Sequence, residues 1–144
     1  MSFGQHVRVF ICVVIMGVLV GFVLNAEDEV TDNVYIHAVK DGMLTNYEEV
    51  RVEEAFNQYF TSPYWCYYEA RSGEHVVELS GEAIYKGVQG ETYLQFILNE
   101  DATEFRVGAL KFNGIVQDKD EKWQLVEAVY ADWRNRQVVK HLPY

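Results

Sequence analysis

Residues 75–98, HVVELSGEAIYKGVQGETYLQFIL, carry the pattern from which the fold is predicted. From His75 to Tyr85, mostly apolar residues alternate with mostly polar ones, which is the period of a strand with one buried and one solvated face. The glycine-bearing KGVQGE predicts a turn, and TYLQFIL predicts the next strand. This stretch therefore predicts an antiparallel hairpin whose outer face contacts water.

Two further strands flank this hairpin. WCYYEAR, residues 65–71, precedes it, and EFRVGALKF, residues 104–112, follows it and is ended by Asn113 and Gly114. Four strands at hairpin spacing predict an antiparallel meander.

Helical patterns lie on both sides of the meander. Thr45 and Glu48 fit a capping box, and apolar residues at helical spacing predict a helix over about 47–60, which Pro63 prevents from continuing. A second stripe predicts a helix over about 120–133. The predicted class for residues 45–133 is α+β, a helix, a four-stranded meander and a helix, with both helices on one sheet face.

The stretch FTSPYWCYYE, residues 60–69, holds five aromatic residues among its ten. Because alternate residues of a strand share a face, Trp65 and Tyr67 are predicted to pack in the core and Tyr64 and Tyr68 to lie on the opposite face. Outward-facing tyrosines are typical of protein interfaces. The surface predicted to bind a protein partner consists of Tyr64, Tyr68, Glu78, Glu82 and Tyr93.

The N-terminal part contains sixteen successive residues without charge, VFICVVIMGVLVGFVL at 9–24, after Arg8 and before the acidic EDE. This layout predicts that residues 1–26 are a signal anchor, which spans the cell membrane through residues 7–26, or a signal peptide cleaved near Ala26. The domain would be outside the cytoplasm in both cases, either on a single-pass anchor or secreted or periplasmic. A third interpretation is a buried helix of a soluble core.

Two segments lie outside the predicted domain. Residues 27–44 are predicted to be an acidic spacer with a short strand at VYIHAV, and residues 134–144 a basic tail. Cys12 would be in the membrane or removed, so we do not expect it to pair with Cys66, which is predicted to be buried or to link two chains.

The charge of the chain argues against nucleic acid as a partner. The sequence has 22 acidic and 12 basic residues, a formal net charge of −10. A phosphate backbone is bound by concentrated positive charge, which this balance does not supply.

Few patterns indicate catalysis, and none indicates a cofactor or a metal site. Cys66 with His75 has no glycine-bearing oxyanion loop beside it, and Glu78 with Glu82 is more typical of a solvated strand face. These residues leave an exported hydrolase using Glu78, Glu82 or His75 as an alternative function. Another alternative is an integral membrane subunit that packs through the GxxxG of Gly17 and Gly21.

Three segments together resemble a group of small, uncharacterised bacterial α+β domains that are often tethered to a membrane by one N-terminal helix. They are AFNQYFTSPYWCYYEARSGEHVVELSGEAIY at 55–85, LQFILNED at 94–101 and EFRVGALKFNG at 104–114. Some of these domains are joined to a zinc ribbon, whose paired cysteines are absent here. The resemblance spans residues 40–133 and implies a fold and a location, but no activity. The expected function is therefore non-enzymatic binding outside the cytoplasm, as an accessory subunit of a bacterial envelope or membrane complex.

Overall fold

The computed structural model describes residues 30–143, which form an α+β fold with a five-stranded antiparallel sheet and three helices. The predicted α+β class with an antiparallel sheet is confirmed, while the predicted N-terminal helix lies outside the described residues. In chain order the elements are α1 (Val34–Asp41), α2 (Val52–Tyr59), β1 (Thr61–Glu69), β2 (His75–Tyr85), β3 (Val88–Leu98), β4 (Phe105–Phe112), β5 (Ile115–Val116) and α3 (Lys119–Lys140).

The sheet follows the order of the chain, β1-β2-β3-β4-β5. The central hairpin pairs β2 with β3 from His75 opposite Leu98 to Tyr85 opposite Val88. Lys86 and Gly87 connect these strands with positive φ angles of 52° and 78°, the backbone of a two-residue hairpin turn. The predicted meander forms, and β5 adds a short fifth strand after Gly114.

The described helices contribute to one core cluster on a single face of the sheet, the inner face. Phe56 of α2 is fully buried and meets Phe96 of β3 and Tyr130 of α3 edge-on, with ring centroids 5.7 Å apart in both pairs. Trp65 stacks on Phe96 at 5.9 Å. Burial of these rings supplies much of the stabilisation of the two layers.

Helix α1 replaces the short strand predicted at VYIHAV. Asn33 caps it, since its side-chain oxygen accepts a hydrogen bond from the backbone N–H of Ile36 over 2.9 Å. Ile36 and Val39 are three residues apart, and both are buried in the core. The described part of the predicted spacer, residues 27–44, thus packs into the domain.

Helix α2 begins at Val52, five residues later than predicted. Residues before it form turns, in which Asn46 adopts a φ of 75°. Glu48 does not complete a capping box, because its carboxylate accepts from the backbone N–H of Asn46 over 3.1 Å.

Helix α3 extends beyond the predicted end at residue 133 and includes most of the predicted basic tail, residues 134–144. Asp118 caps its first turn by accepting from the backbone N–H of Glu121 over 2.8 Å. Arg134 lies within the helix and pairs with Glu49 at 2.8 Å and Glu127 at 3.3 Å.

The predictions for residues 1–26, including the membrane segment 7–26 and the Gly17 and Gly21 pair, lie outside the described residues. Within residues 30–143, none of the helices combines the length and the hydrophobicity that crossing a bilayer requires.

Candidate functional site

The sheet face opposite the helices, here the outer face, is buried, so the prediction that it contacts water is wrong. Fully buried side chains lie along its middle, and a second apolar cluster forms there. The outer face consists of Cys66, Tyr68, Val76, Glu78, Ser80, Tyr93, Gln95 and Ile97.

The predicted partner-binding residues divide between two environments. Glu78 is fully buried, and Tyr68 and Tyr93 are 6% and 5% exposed. Tyr64 is partly buried on the same face, whereas Glu82 is exposed near its rim. The structure therefore brings four of the five together on the outer face but does not present them as an open aromatic surface.

Hydrogen bonds tie Tyr68 into this face. Its hydroxyl accepts from the Gln95 side-chain amide over 3.1 Å, and the Gln95 oxygen accepts from the backbone N–H of Ala109 over 3.1 Å. Burial, and then the negative charge of Glu78, raise the pKa of Tyr68. These contacts hold Tyr68 in the sheet as a neutral phenol.

Cys66 is fully buried on the outer face, as predicted, and it is disulfide-bonded. The prediction that it does not pair with Cys12 concerns a residue outside the described part of the chain.

His75 lies on the inner face, at the start of β2, in a chain of hydrogen bonds. Tyr67 donates to its Nδ1 over 2.6 Å, and its Nε2 donates to the Glu100 carboxylate over 3.0 Å. Tyr35 stacks on the imidazole with ring centroids 4.3 Å apart. Burial, followed by the charge of Glu69, raises the pKa of Tyr67 to about 12. A phenol held protonated in this way is a poor nucleophile. The contacts of the cluster instead connect α1, β1 and β2.

The residues of the hydrolase alternative are not brought together. Glu78 lies in the middle of the outer face, while His75 points to the inner face at the start of β2. Glu82 is four residues further along β2 than Glu78, a separation of about 13 Å at the usual rise per strand residue. Glycosidase carboxylates lie closer than this, at roughly 5 to 9.5 Å.

An open cleft of about 450 Å³ lies where β1 begins and β2 continues past it. The last pairing of β1 with β2 is Thr61 opposite Glu82, so Ala83, Ile84 and Tyr85 extend beyond β1. The lining residues are Gln58, Tyr59, Thr61, Glu82, Ala83, Ile84, Gln89, Asp132 and Arg136.

The geometry of β1 opens this cleft. Ser62 adopts a φ of 53° before Pro63, and a bulge separates Thr61 from Tyr64. The bulge approaches β2 so closely that a Cβ atom on Gly81 would lie 2.9 Å from the carbonyl oxygen of Thr61. A residue without a side chain is therefore needed at Gly81 for this approach.

The cleft has mainly polar walls, to which Ala83 and Ile84 add apolar side chains. Gln89 donates to Glu82 over 2.6 Å, and Arg136 donates to Asp132 over 2.9 Å. Ile84 is 60% exposed, and its backbone carbonyl accepts a hydrogen bond from Tyr59.

Gln58 is the wall residue with an unused hydrogen-bonding atom. Its Oε1 is buried and accepts no hydrogen bond from the described residues. A buried amide oxygen without a donor is unfavourable, and a ligand that brings an N–H group would relieve it.

A shallow apolar groove continues from the cleft along the last turns of α3. It is lined by Gln58, Asn135, Arg136, Val139 and Lys140, and Val139 is 67% exposed. The cleft and the groove share Gln58 and Arg136, so they form one continuous surface.

Sequence analysis identified only Glu82 of this surface. Ile84 carried a signal, because it is a large apolar residue among the polar positions of β2. Gln58 and Arg136 carried no such signal in the sequence, since their position depends on how α2 and α3 pack.

Comparisons with family models, with curated proteins and with solved structures found no match for this chain.

Proposed function

We propose that the chain is a non-enzymatic binding domain of the bacterial cell envelope that holds an extended segment of a protein partner in the cleft beside Ile84. The observation that carries this proposal is the open edge of β2. Ala83, Ile84 and Tyr85 lie beyond the last pairing with β1, so a partner segment can lie along this edge. Because the Ile84 carbonyl already accepts a hydrogen bond from Tyr59, side chains of the cleft would provide most of the contacts.

The side chains around this edge fit such a segment. The exposed Ile84 and Val139 provide apolar contacts for alternate residues of an extended chain. Gln58 lines both the cleft and the groove, and its buried oxygen would have to turn outward to accept an N–H group from the same segment. Glu82 and Arg136 are placed at the polar rim, where charges select a partner more than they strengthen its binding.

The disulfide at Cys66 supports a location outside the cytoplasm, because disulfides persist mainly in oxidising compartments. The signal-like layout of residues 1–26 supports export in the same way. The cleft lies within residues 58–136, so the proposed binding does not depend on whether an anchor is retained.

The test is site-specific photo-crosslinking of the full chain in its native cells. A crosslinker at Ile84 should give one discrete adduct, and the same crosslinker at Ile115 should give none. Ile115 is a matched control, being 66% exposed on β5 and absent from the cleft. An adduct from both positions, or from neither, would contradict the proposal.

Variants then measure the contacts with the captured partner. Ile84→Asp should abolish co-purification of the crosslinked protein, while Ile115→Asp should retain it. Gln58→Met keeps the size of the side chain and removes the acceptor, so it should weaken binding by roughly threefold to tenfold, the usual worth of one hydrogen bond. Circular dichroism of each variant shows whether the fold is kept.

A further inference from the structure

The cleft beside Ile84 is acidic. Among its described lining residues, Glu82 and Asp132 carry carboxylates and Arg136 carries the one positive charge. Arg136 is already paired, since its Nε donates to Oδ2 of Asp132 over 2.9 Å. The cleft therefore keeps a net negative charge, within a chain whose formal net charge is −10. A field of this sign attracts basic segments of a partner and repels acidic ones.

Each of the two carboxylates has one oxygen bonded within the protein and one open to a ligand. Glu82 accepts from Gln89 through Oε2, and Asp132 accepts from Arg136 through Oδ2. Within the described part of the chain, Oε1 of Glu82 and Oδ1 of Asp132 accept no hydrogen bond. Because an ionised carboxylate only accepts hydrogen bonds, a ligand of this site has to supply donors.

The two carboxylates belong to different walls of the cleft. Glu82 lies two residues before Ile84 on β2, so their side chains share one face of the strand. Asp132 lies on α3, near the hydroxyl that Tyr59 donates to the Ile84 carbonyl. Burial, and then the negative charge of Asp132, raise the pKa of Tyr59. Carboxylates from a strand and from a helix therefore border the cleft around Ile84.

An arginine side chain fits this arrangement. Its guanidinium is planar, has five N–H donors and no acceptor, and can donate to two carboxylates at once. Its apolar stem can pack on Ile84, which is 60% exposed. A lysine ammonium is a compact point charge and spans two walls less well. We propose, resting on the proposed function, that the partner segment places an arginine in the cleft, where its guanidinium donates to Glu82 and Asp132.

The first test identifies the captured segment. The full chain with a photo-crosslinker at Ile84 is irradiated in its native cells, and mass spectrometry locates the attachment site in the partner. An arginine should lie within about three residues of that site, because an extended chain advances roughly 3.3 Å per residue. A captured segment without arginine at this distance, including one with lysine alone, would overturn the proposal and leave the cleft as a binding site. Absence of any adduct would contradict the proposed function itself.

The second test removes one charge of the cleft at a time. Glu82→Gln and Asp132→Asn should each weaken binding of a synthetic peptide of the captured segment by roughly threefold to tenfold, measured by calorimetry with the full chain. Glu104→Gln is the matched control, because Glu104 is exposed in the turn before β4 and does not line the cleft. It removes the same charge from the chain and should leave the affinity unchanged. Equal losses in all three variants would show that only the net charge of the chain attracts the segment.

The third test changes the peptide instead of the protein. Citrulline has the shape of arginine but a neutral head group, so a peptide with citrulline in place of the arginine should bind about tenfold more weakly. The two peptides should differ less in Glu82→Gln, where one acceptor of the guanidinium has lost its charge. If the citrulline peptide bound as tightly as the arginine peptide, the seated guanidinium would be wrong. Crosslinking at Ile84 would remain in that case, so the two proposals fail separately.

Discussion

The hydroxyl of Tyr67 donates a hydrogen bond to Nδ1 of His75 over 2.6 Å, while Nε2 of the same ring donates to Glu100 over 3.0 Å. The ring is buried and both of its nitrogens are used. Because Glu100 lies in the turn between β3 and β4, the contacts connect that turn with the first hairpin. The cluster fixes the end of the sheet at which α1 packs.

Replacement of Tyr67 by phenylalanine tests this connection. Tyr67→Phe leaves Nδ1 of the buried His75 without its donor, which we expect to lower the free energy of unfolding by about 1–3 kcal/mol. Urea denaturation measures the change. Tyr35→Phe is the comparison, because the Tyr35 hydroxyl donates to the exposed backbone oxygen of Glu100 over 2.7 Å and makes only a long contact of 3.4 Å with Nε2 of His75, so its loss should lower the free energy of unfolding by less. An equal or larger cost for Tyr35→Phe would show that the buried histidine is not the important acceptor.

The core between the layers can be tested at Phe56. Its ring is fully buried and meets Phe96 and Tyr130. Phe56→Ala should lower the free energy of unfolding by about 3–5 kcal/mol, because a cavity remains between sheet and helices. Val138→Ala, at a 63% exposed position of α3, should change it by less than about 0.5 kcal/mol. If the two substitutions had similar effects in urea denaturation, the description of Phe56 as part of a core between the sheet and the helices would be wrong.

The central hairpin was predictable from sequence because its signals are local. The alternation from His75 to Tyr85 and the turn at Lys86 and Gly87 depend on neighbouring residues alone. Helix α1 was missed because a helix of eight residues shows only Ile36 and Val39 as a buried pair. Its cap at Asn33 was the signal that could have indicated it.

The outer face and the cleft were not predictable in the same way. Glu78 and Ser80 carry the polar signature of a solvated strand, yet both are buried. Their burial depends on packing between parts of the chain that are remote in sequence, which a period of two residues does not report. The cleft at Ile84 depends equally on the bulge before Tyr64 and on the packing of α3.

Gly81 is expected to control the shape of the cleft. In Gly81→Ala the added Cβ would lie 2.9 Å from the backbone oxygen of Thr61, which no side-chain rotation can relieve. We expect a loss of about 1–3 kcal/mol in the free energy of unfolding and weaker capture at Ile84, because β1 must move. Gly73→Ala is the contrast: nothing lies within 4 Å of its Cβ, and it should destabilise through its φ of 92° while leaving crosslinking at Ile84 unchanged. Unchanged crosslinking at Ile84 in Gly81→Ala would show that the bulge in β1 does not determine the shape of the cleft.

Partly buried tyrosines with raised pKa values predict a loss of stability at alkaline pH. Burial and a hydrogen bond to Glu127 raise the pKa of Tyr47 to about 12, and burial with the charge of Glu69 raises that of Tyr67 to about 12. Unfolded tyrosine has a pKa of about 10. Below that pH both states hold the phenolic protons, so this contribution to stability is fully present. Above it the unfolded chain releases them first, and the contribution is lost as the pH rises towards 12.

Urea denaturation at about pH 9, 10 and 11, with tyrosinate absorbance recorded in parallel, measures this loss. The free energy of unfolding should be constant up to about pH 10 and then fall, with tyrosinate appearing mainly as the chain unfolds. The double variant with Tyr47→Phe and Tyr67→Phe should show a shallower fall, because two of the linked protons are gone. The hydroxyl of Tyr130 is also buried, and burial raises its pKa, so part of the fall should remain. If the free energy of unfolding of the double variant falls with pH as steeply as that of the wild type, the ionisation of Tyr47 and Tyr67 is not linked to unfolding.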